Sequence, residues 1–257
     1  MQSLLQDIIA ANIFAFLLIF MRFGTALLIM PGIGDSFVSP SVRLSFALGM
    51  SLVVTPVLSP YLPAIPGDSF TMVALLLAEA VIGFFIGTVM RILIGALDTA
   101  GMVVSMQSGL ASAMLFNPVT ASQGSLIGAV YSSLGVTLLF VTNMHHYMLA
   151  SVVESYQMFP ASGQLPETGA LLEVISRTVA VAFKIGVQIA IPFLIVGTLL
   201  QIGLGLLGRL MPQVQVFFIA MPVQIFLSLI MLAVTLSAGM LYWLSGFESI
   251  AAQALSP

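Results

Sequence analysis

Six apolar runs constrain this chain more than any motif it carries. They cover about 8–30, 44–62, 70–97, 125–150, 174–207 and 214–244. Each is near or above the roughly 20 residues that a helix needs to cross a ~30 Å hydrocarbon core. The expected fold class is therefore all-α: an integral membrane protein of about six long apolar helices. Composition agrees, because a chain that is 6% charged and 60% hydrophobic cannot cover a water-soluble globule with polar groups. A net charge of −3 with scattered cations lacks the electrostatic footprint of a nucleic-acid binder. Without cysteine, the chain has no disulfide framework, thiol nucleophile or thiolate metal site.

The opening residues Met1, Gln2, Ser3 and Asp7 bring no cation ahead of the first apolar run, and no small-x-small cleavage pattern follows. They read as retained rather than as a cleaved address. Breakers mark the joints. Pro31, Gly32, Gly34 and Asp35 close the first run, and Pro60, Pro63, Pro66, Gly67 and Asp68 close the second. Residues 160–167 form the one hydrophilic loop of any length, and so the best internal boundary.

Two segments resist a picture of upright spanning helices. The run 174–207 holds about 34 residues, roughly 50 Å as one helix at 1.5 Å per residue. It must tilt, kink or leave the membrane plane, and Pro192 is placed to bend it. Residues 100–123 are apolar in their methionines yet interrupted by Ser105, Gln107, Ser108, Gly109, Asn117, Pro118 and Gln123. Irregular backbone of that kind is tolerated at membrane depth only where protein buries it or a wet cavity satisfies it. Arg22, Arg91, Arg177 and Lys184 fall inside or at the ends of apolar runs, so loop charge gives no topology.

Small residues at four-residue spacing allow close helix approach in lipid. Gly83 with Gly87, and Gly124 with Gly128 and Ser132, have that spacing, and contact within the chain or with other subunits are equal alternatives. Glu173, Arg177, Lys184 and Gln188 fall within about 60° of one another on a helical wheel. Charge near the bilayer centre costs about 2.5 to 3.5 kcal/mol even on the lenient insertion scale. Either this stripe lies in water, or it faces an aqueous lumen or a partner's carboxylates. Glu79 and Arg91 point about 120° apart on one straight helix, so each needs a partner elsewhere or an exit to water.

His145 and His146 are adjacent and lack the i, i+4 spacing of a helical metal pair, so no metal or cofactor is expected. No nucleophile elbow, Ser-Lys arrangement or facing pair of aspartates is visible, and the chain reads as no enzyme. Among sixteen methionines, Met102, Met106 and Met114 share a segment with glycine, serine and an Asn-Pro turn. Soft thioethers on an irregular loop can press around variable shapes and still exclude water.

Two stretches then carry a resemblance. The first is Gly101-Met102-Val103-Val104-Ser105-Met106-Gln107-Ser108-Gly109-Leu110-Ala111-Ser112-Ala113-Met114-Leu115-Phe116-Asn117-Pro118. The second is Met211-Pro212-Gln213-Val214-Gln215-Val216-Phe217-Phe218-Ile219-Ala220-Met221-Pro222-Val223-Gln224-Ile225. With the order of segments, they resemble the FliR-like family of flagellar biosynthesis, whose injectisome counterpart is the T-type export-apparatus subunit. The likeness covers essentially the whole chain. Family members usually carry Asn where this chain has Gln215 and Lys near Gln224. Injectisome relatives tend to carry Arg-Gly-Ala where it has Ser108, Gly109 and Leu110, which favours the flagellar branch.

The resemblance implies a structural and gating subunit of the type III export gate. It would stand in a helical ring with FliP-like and FliQ-like subunits, forming the gate together with FlhB, in the bacterial inner membrane at the flagellar basal body, largely above the membrane plane. Unfolded proteins would pass through it. Residues 1–160 would be FliP-like and include a gate loop at 107–123; residues 168–257 would form a FliQ-like helical hairpin. The implied plug comprises Met106, Gln107, Gly109, Leu110, Met114, Leu115, Phe116, Asn117 and Pro118. The implied subunit interface comprises Glu79, Gly83, Gly87, Arg91, Gly124, Gly128, Arg177, Lys184, Pro212, Gln213, Gln215, Phe217 and Pro222. The rivals are an injectisome subunit and a secondary transporter or small-solute channel. The latter predicts two halves with matching helix interruptions, and only one such interruption is present.

Overall fold

The computed structural model describes residues 2–109, 125–163, 168–211 and 216–255. Among these there is no strand. The elements are α1 (Gln2–Ile29), α2 (Pro40–Leu58) with a short 3-10 turn (Ser59–Tyr61), α3 (Ser69–Gln107), α4 (Leu126–Val141), α5 (Met144–Met158), α6 (Thr168–Leu210) and α7 (Val216–Leu255). Five stretches are long and apolar enough to cross a membrane, and α4 with α5 would make a sixth, broken one. The all-α expectation of about six apolar helices holds.

Local chemistry explains the boundaries. Beyond α1 come Pro31 and Gly32, the latter at φ 83°, a conformation that only glycine adopts without steric cost. Ser39 caps α2 by accepting from the Val42 amide at 3.4 Å, with Pro40 in the first turn. Asp68 caps α3, its Oδ2 accepting from the Thr71 amide at 3.1 Å. The Thr71 and Phe70 amides hold the Asp68 carboxyl below the usual carboxylate range. Between α4 and α5 the chain turns at Asn143, in the left-handed region at φ 60°. The apolar run expected at 125–150 is thus two helices.

Helix lengths divide the elements into two sorts. The spanning stretches of α1 and α2 hold 21 and 22 residues, one bilayer's worth. By contrast α3, α6 and α7 hold 39, 43 and 40 residues, roughly 60 Å each at 1.5 Å per residue, about twice the hydrocarbon thickness. One expectation is corrected here. Residues 100–107, read as irregular backbone, continue α3 as regular helix, because Gly101, Val104 and Ser105 are buried while only Met102 and Met106 are exposed. Pro192 lies inside α6, which runs through it as one helix.

The chain packs as two compact units drawn from interleaved segments. The first comprises Met1–Ile92, Leu139–Thr178 and Glu248–Pro257, and the second Leu93–Leu138 and Val179–Phe247. In the first, α1 buries Phe14, Leu18, Arg22 and Ala26 on one stripe and Ile19, Phe23 and Leu27 beside it, the four-residue spacing of a helix face. Phe14, Leu18 and Leu75 form a buried cluster with Leu62, Met72 and Leu76 packed against it. In the second, Trp243 is 1% exposed and donates its indole N–H to the Leu93 carbonyl at 2.8 Å. In α7 Ala220, Met240, Trp243, Phe247 and Ala251 are buried, whereas none of residues 221–239 is buried among the described residues.

Candidate functional site

In the first unit α1 and α3 lie backbone to backbone. A Cβ on Gly83 would overlap the Arg22 carbonyl and the Thr25 hydroxyl, and one on Gly87 would stand 2.7 Å from the Ala26 carbonyl. This is the small-xxx-small crossing that lets helices approach without a hydrophobic drive.

The crossing brings Arg22 onto Glu79. Arg22 is 0% exposed and Glu79 1%. Nε donates to Oε2 at 2.6 Å and Nη2 to Oε1 at 2.9 Å, the bidentate geometry that guanidinium shape favours. Nη1 donates to Ser155 Oγ at 3.0 Å and Nη2 also to the Phe159 carbonyl at 2.9 Å. The guanidinium carbon sits 3.6 Å from the centre of the Tyr156 ring. A buried charge is tolerable only when paired and hydrogen-bonded, and here both conditions hold, tying α1, α3 and the end of α5 together.

A second polar hub sits at the α1–α2 connection. The Asp35 carboxylate accepts from the Gly32 amide at 2.8 Å and pairs with Arg91, while its backbone carbonyl accepts from Arg43 at 3.0 Å. Glu79 and Arg91 thus have separate partners on the α1 side, as their divergence on the wheel required.

In the second unit α3 ends at Gln107, just before Ser108 and Gly109. Ser108 donates its amide to the Val104 carbonyl at 2.8 Å, and Gly109 sits at φ 75°, a left-handed cap that stops the helix. The last helical carbonyl, of Gln107, accepts from the Gln224 side-chain amide of α7 at 2.6 Å. Carbonyls at a helix end lack intrahelical partners, and Gln224 supplies one from across the unit. Gly197 of α6 makes room for the Gln107 side chain, since a Cβ there would meet its Oε1 at 2.5 Å. Nearby, Gly101 packs on Gly128 so closely that a Cβ would overlap its backbone. Ser125 caps α4 and donates to the Gly101 carbonyl at 2.9 Å; Ser132 donates to Asp98.

The residues expected at an intersubunit face therefore part company. Glu79, Gly83, Gly87 and Gly128 make contacts inside the chain, each with a partner within hydrogen-bonding or van der Waals reach. Arg91 is 48% exposed although paired. Arg177, Lys184 and Pro222 are exposed, and neither cation makes an ion pair among the described residues. Gln188, from the same polar stripe, accepts from the Tyr242 hydroxyl at 2.6 Å. Of the expected plug, Met106 is exposed, with Gln107 and Gly109 at its root. Leu110, Met114, Leu115, Phe116, Asn117 and Pro118 lie outside the described residues, as do Gly124, Pro212, Gln213 and Gln215, and the side chain of Phe217.

Sequence reading missed Arg22 and Asp35 as partners. A signal was present: one cation and one acid, each isolated in an apolar run, must meet or pay the full cost of burial. Among the described residues no three His, Cys, Asp or Glu side chains converge as a metal site would need.

Comparison with known proteins supplies what geometry cannot. The chain is 34% identical to the flagellar biosynthetic protein FliR of Caulobacter vibrioides, over 94% of this chain and 96% of that one. It is 28% identical to FliR of Bacillus subtilis over 87% and 86%. It is also 28% identical to the Yop proteins translocation protein T of Yersinia pestis, over 86% and 85%. The model of the bacterial export proteins, family 1, matches residues 13–250. With the match running from α1 into the last turns of α7, the chain belongs to the bacterial export proteins, family 1.

Proposed function

We propose that this protein is a membrane subunit of a type III export apparatus and forms part of the gate through which unfolded flagellar proteins leave the cytoplasm. The observation that carries the reading is end-to-end likeness, at 34% identity, to a protein named for flagellar biosynthesis. The same likeness, weaker, to a Yop translocation protein supports an injectisome role as the second reading.

On this reading the partners are FliP-like and FliQ-like subunits and FlhB. Residues 1–160 take the FliP-like place and 168–257 the FliQ-like place, in the inner membrane at the basal body. Three helices of twice the bilayer's thickness suit an assembly that holds them partly out of lipid. So does the part of α7 from 221 to 239, none of which is buried among the described residues. Arg177, Lys184 and the 212–222 stretch then face other subunits or water.

Residues 107–123 act as the plug. A dry constriction gates by excluding water, and Met106, Leu110, Met114, Leu115 and Phe116 supply apolar side chains for it. The bends come at Gly109 and at Asn117-Pro118. Deleting 110–116 should raise ion leakage through the assembled gate and slow growth when the complex is overproduced; unchanged conductance would refute the plug. Purification in mild detergent with mass spectrometry of co-purifying chains tests the assembly, since an isolated monomer or homodimer would overturn it. Removing the gene should abolish swimming, whereas intact motility with lost secretion of virulence proteins would favour the injectisome reading.

A further inference from the structure

Two mainly apolar cavities lie between the two helices of single-bilayer length, one of them with a cation in its lining. The one near the α1–α2 connection is about 240 Å³, lined by Phe20, Met21, Leu28, Arg43, Leu44 and Ala47 among others. Farther along the same pair a second cavity of about 700 Å³ lies between Ile9, Asn12, Ile13 and Phe16 on one side and Leu52, Thr55, Pro56 and Ser59 on the other. On α1 the lining positions recur every three or four residues from 9 to 28, which places them on one stripe. The stripe is roughly 30 Å long at 1.5 Å per residue, the depth of a hydrocarbon core.

Arg43 stands in the first turn of α2. Its Nη2 donates to the Asp35 and Val38 carbonyls at 3.0 and 3.1 Å, but its Nε is buried without an acceptor among the described residues. A buried charged donor left unmatched is costly, so the site is short of one acceptor. The Asp35 carboxylate does not supply it, being engaged by Arg91 and the Gly32 amide. Two arginines against one carboxylate leave this corner with an excess positive charge. Between two helices of spanning length, the connection falls at headgroup depth, where arginine is stable.

We propose that the α1–α2 cleft is a binding site for an anionic phospholipid, its phosphate against Arg43 and one acyl chain lying along the stripe towards Ile9. The two parts are complementary. The phosphate balances the charge of the Arg43 guanidinium; the chain fills apolar space that water would occupy at a loss. This site does not depend on the gate reading, because it uses only the first unit.

Native mass spectrometry of the full-length protein, released from detergent doped with phosphatidylglycerol or phosphatidylethanolamine, tests it. Retention of phosphatidylglycerol should exceed that of phosphatidylethanolamine by about fivefold, the factor that one cation contributes towards an anionic headgroup. Arg43→Gln should bring the two lipids level. Leu44→Trp, at a position 53% exposed where a larger side chain intrudes on the cleft rather than on the core, should lower retention of both. Equal retention of the two lipids by the unaltered protein would overturn the proposal, and so would displacement of phosphatidylglycerol by millimolar inorganic phosphate. Unchanged retention in Leu44→Trp would overturn the acyl-chain assignment even if Arg43→Gln failed to fold.

Discussion

Removing the Glu79 carboxylate should be the most damaging single change in the first unit that leaves every backbone contact in place. In Glu79→Ala, Arg22 remains 0% exposed and keeps Ser155 and the Phe159 carbonyl as acceptors, but loses the one anion that pairs with it among the described residues. Four of the five guanidinium N–H groups have acceptors in the intact protein, two of them on Glu79. Breaking one side of a buried pair typically costs about 3–5 kcal/mol, because the remaining charge is uncompensated. At about 2–4 °C per kcal/mol for a chain of this size, the melting temperature should fall by about 10 °C. Arg22→Met should cost a similar amount. The double variant Arg22→Met/Glu79→Leu should recover most of the loss, since an apolar pair of similar volume avoids the desolvation of both charges. Full recovery is not expected: Ser155 and the Phe159 carbonyl each forfeit a bond of about 1 kcal/mol. The assay is thermal unfolding of the detergent-solubilised protein as a double-mutant cycle, with a coupling of at least about 2 kcal/mol expected. A loss below about 1 kcal/mol in both single variants, or a double variant as unstable as the worse single, would refute the argument that burial makes this pair obligatory.

Three further outcomes follow from the same geometry. Gln224→Ala should weaken the end of α3 by about 1 kcal/mol and lower secretion of an exported reporter. Gln224→Lys, which keeps a donor and adds a cation at a helix C-terminus, should retain more secretion than Gln224→Glu, which keeps only acceptors; the reverse order would show that the Gln107 contact is incidental. Gly83→Val should abolish accumulation of the protein in the membrane, because its Cβ overlaps the Arg22 carbonyl, whereas Gly49→Ala, with open space around it, should leave accumulation unchanged in a quantitative blot. Asp68 has a lowered folded-state pKa, so its cap stabilises above its ordinary value of 3.8 and the contribution disappears as pH falls through the lowered folded value. Hydrogen exchange at Thr71 should therefore be faster in Asp68→Ala at pH 7, with the difference shrinking at acid pH.

The helix count was legible because hydrocarbon imposes a length rule on any chain that crosses it, and the breakers at Pro31-Gly32 and Pro60–Pro66 satisfy known turn and cap chemistry. The 100–107 stretch was misread for an instructive reason. Ser105, Gln107 and Gly101 look like interruptions of an apolar helix when lipid is the assumed surroundings. In the folded unit Gly101 meets Gly128, Gly197 accommodates Gln107, and the helix continues because protein, not lipid, is beside it. Four-residue glycine spacing signalled close approach at Gly83 and Gly87 but could not say to what; the answer, α1 of the same chain, depends on how two helices cross.

By itself, then, the sequence determined an all-helical membrane protein and, through its two long motifs, the family, since hydropathy and local turn chemistry act within a few residues. Only the tertiary structure decided which charge meets which. Arg22 and Glu79 are 57 positions apart, Arg91 and Asp35 56, and Gln224 and Gln107 117. Whether such groups meet depends on the rotation and crossing of helices about their axes. Those are settled by the summed packing of whole faces, a property that no short stretch of residues carries.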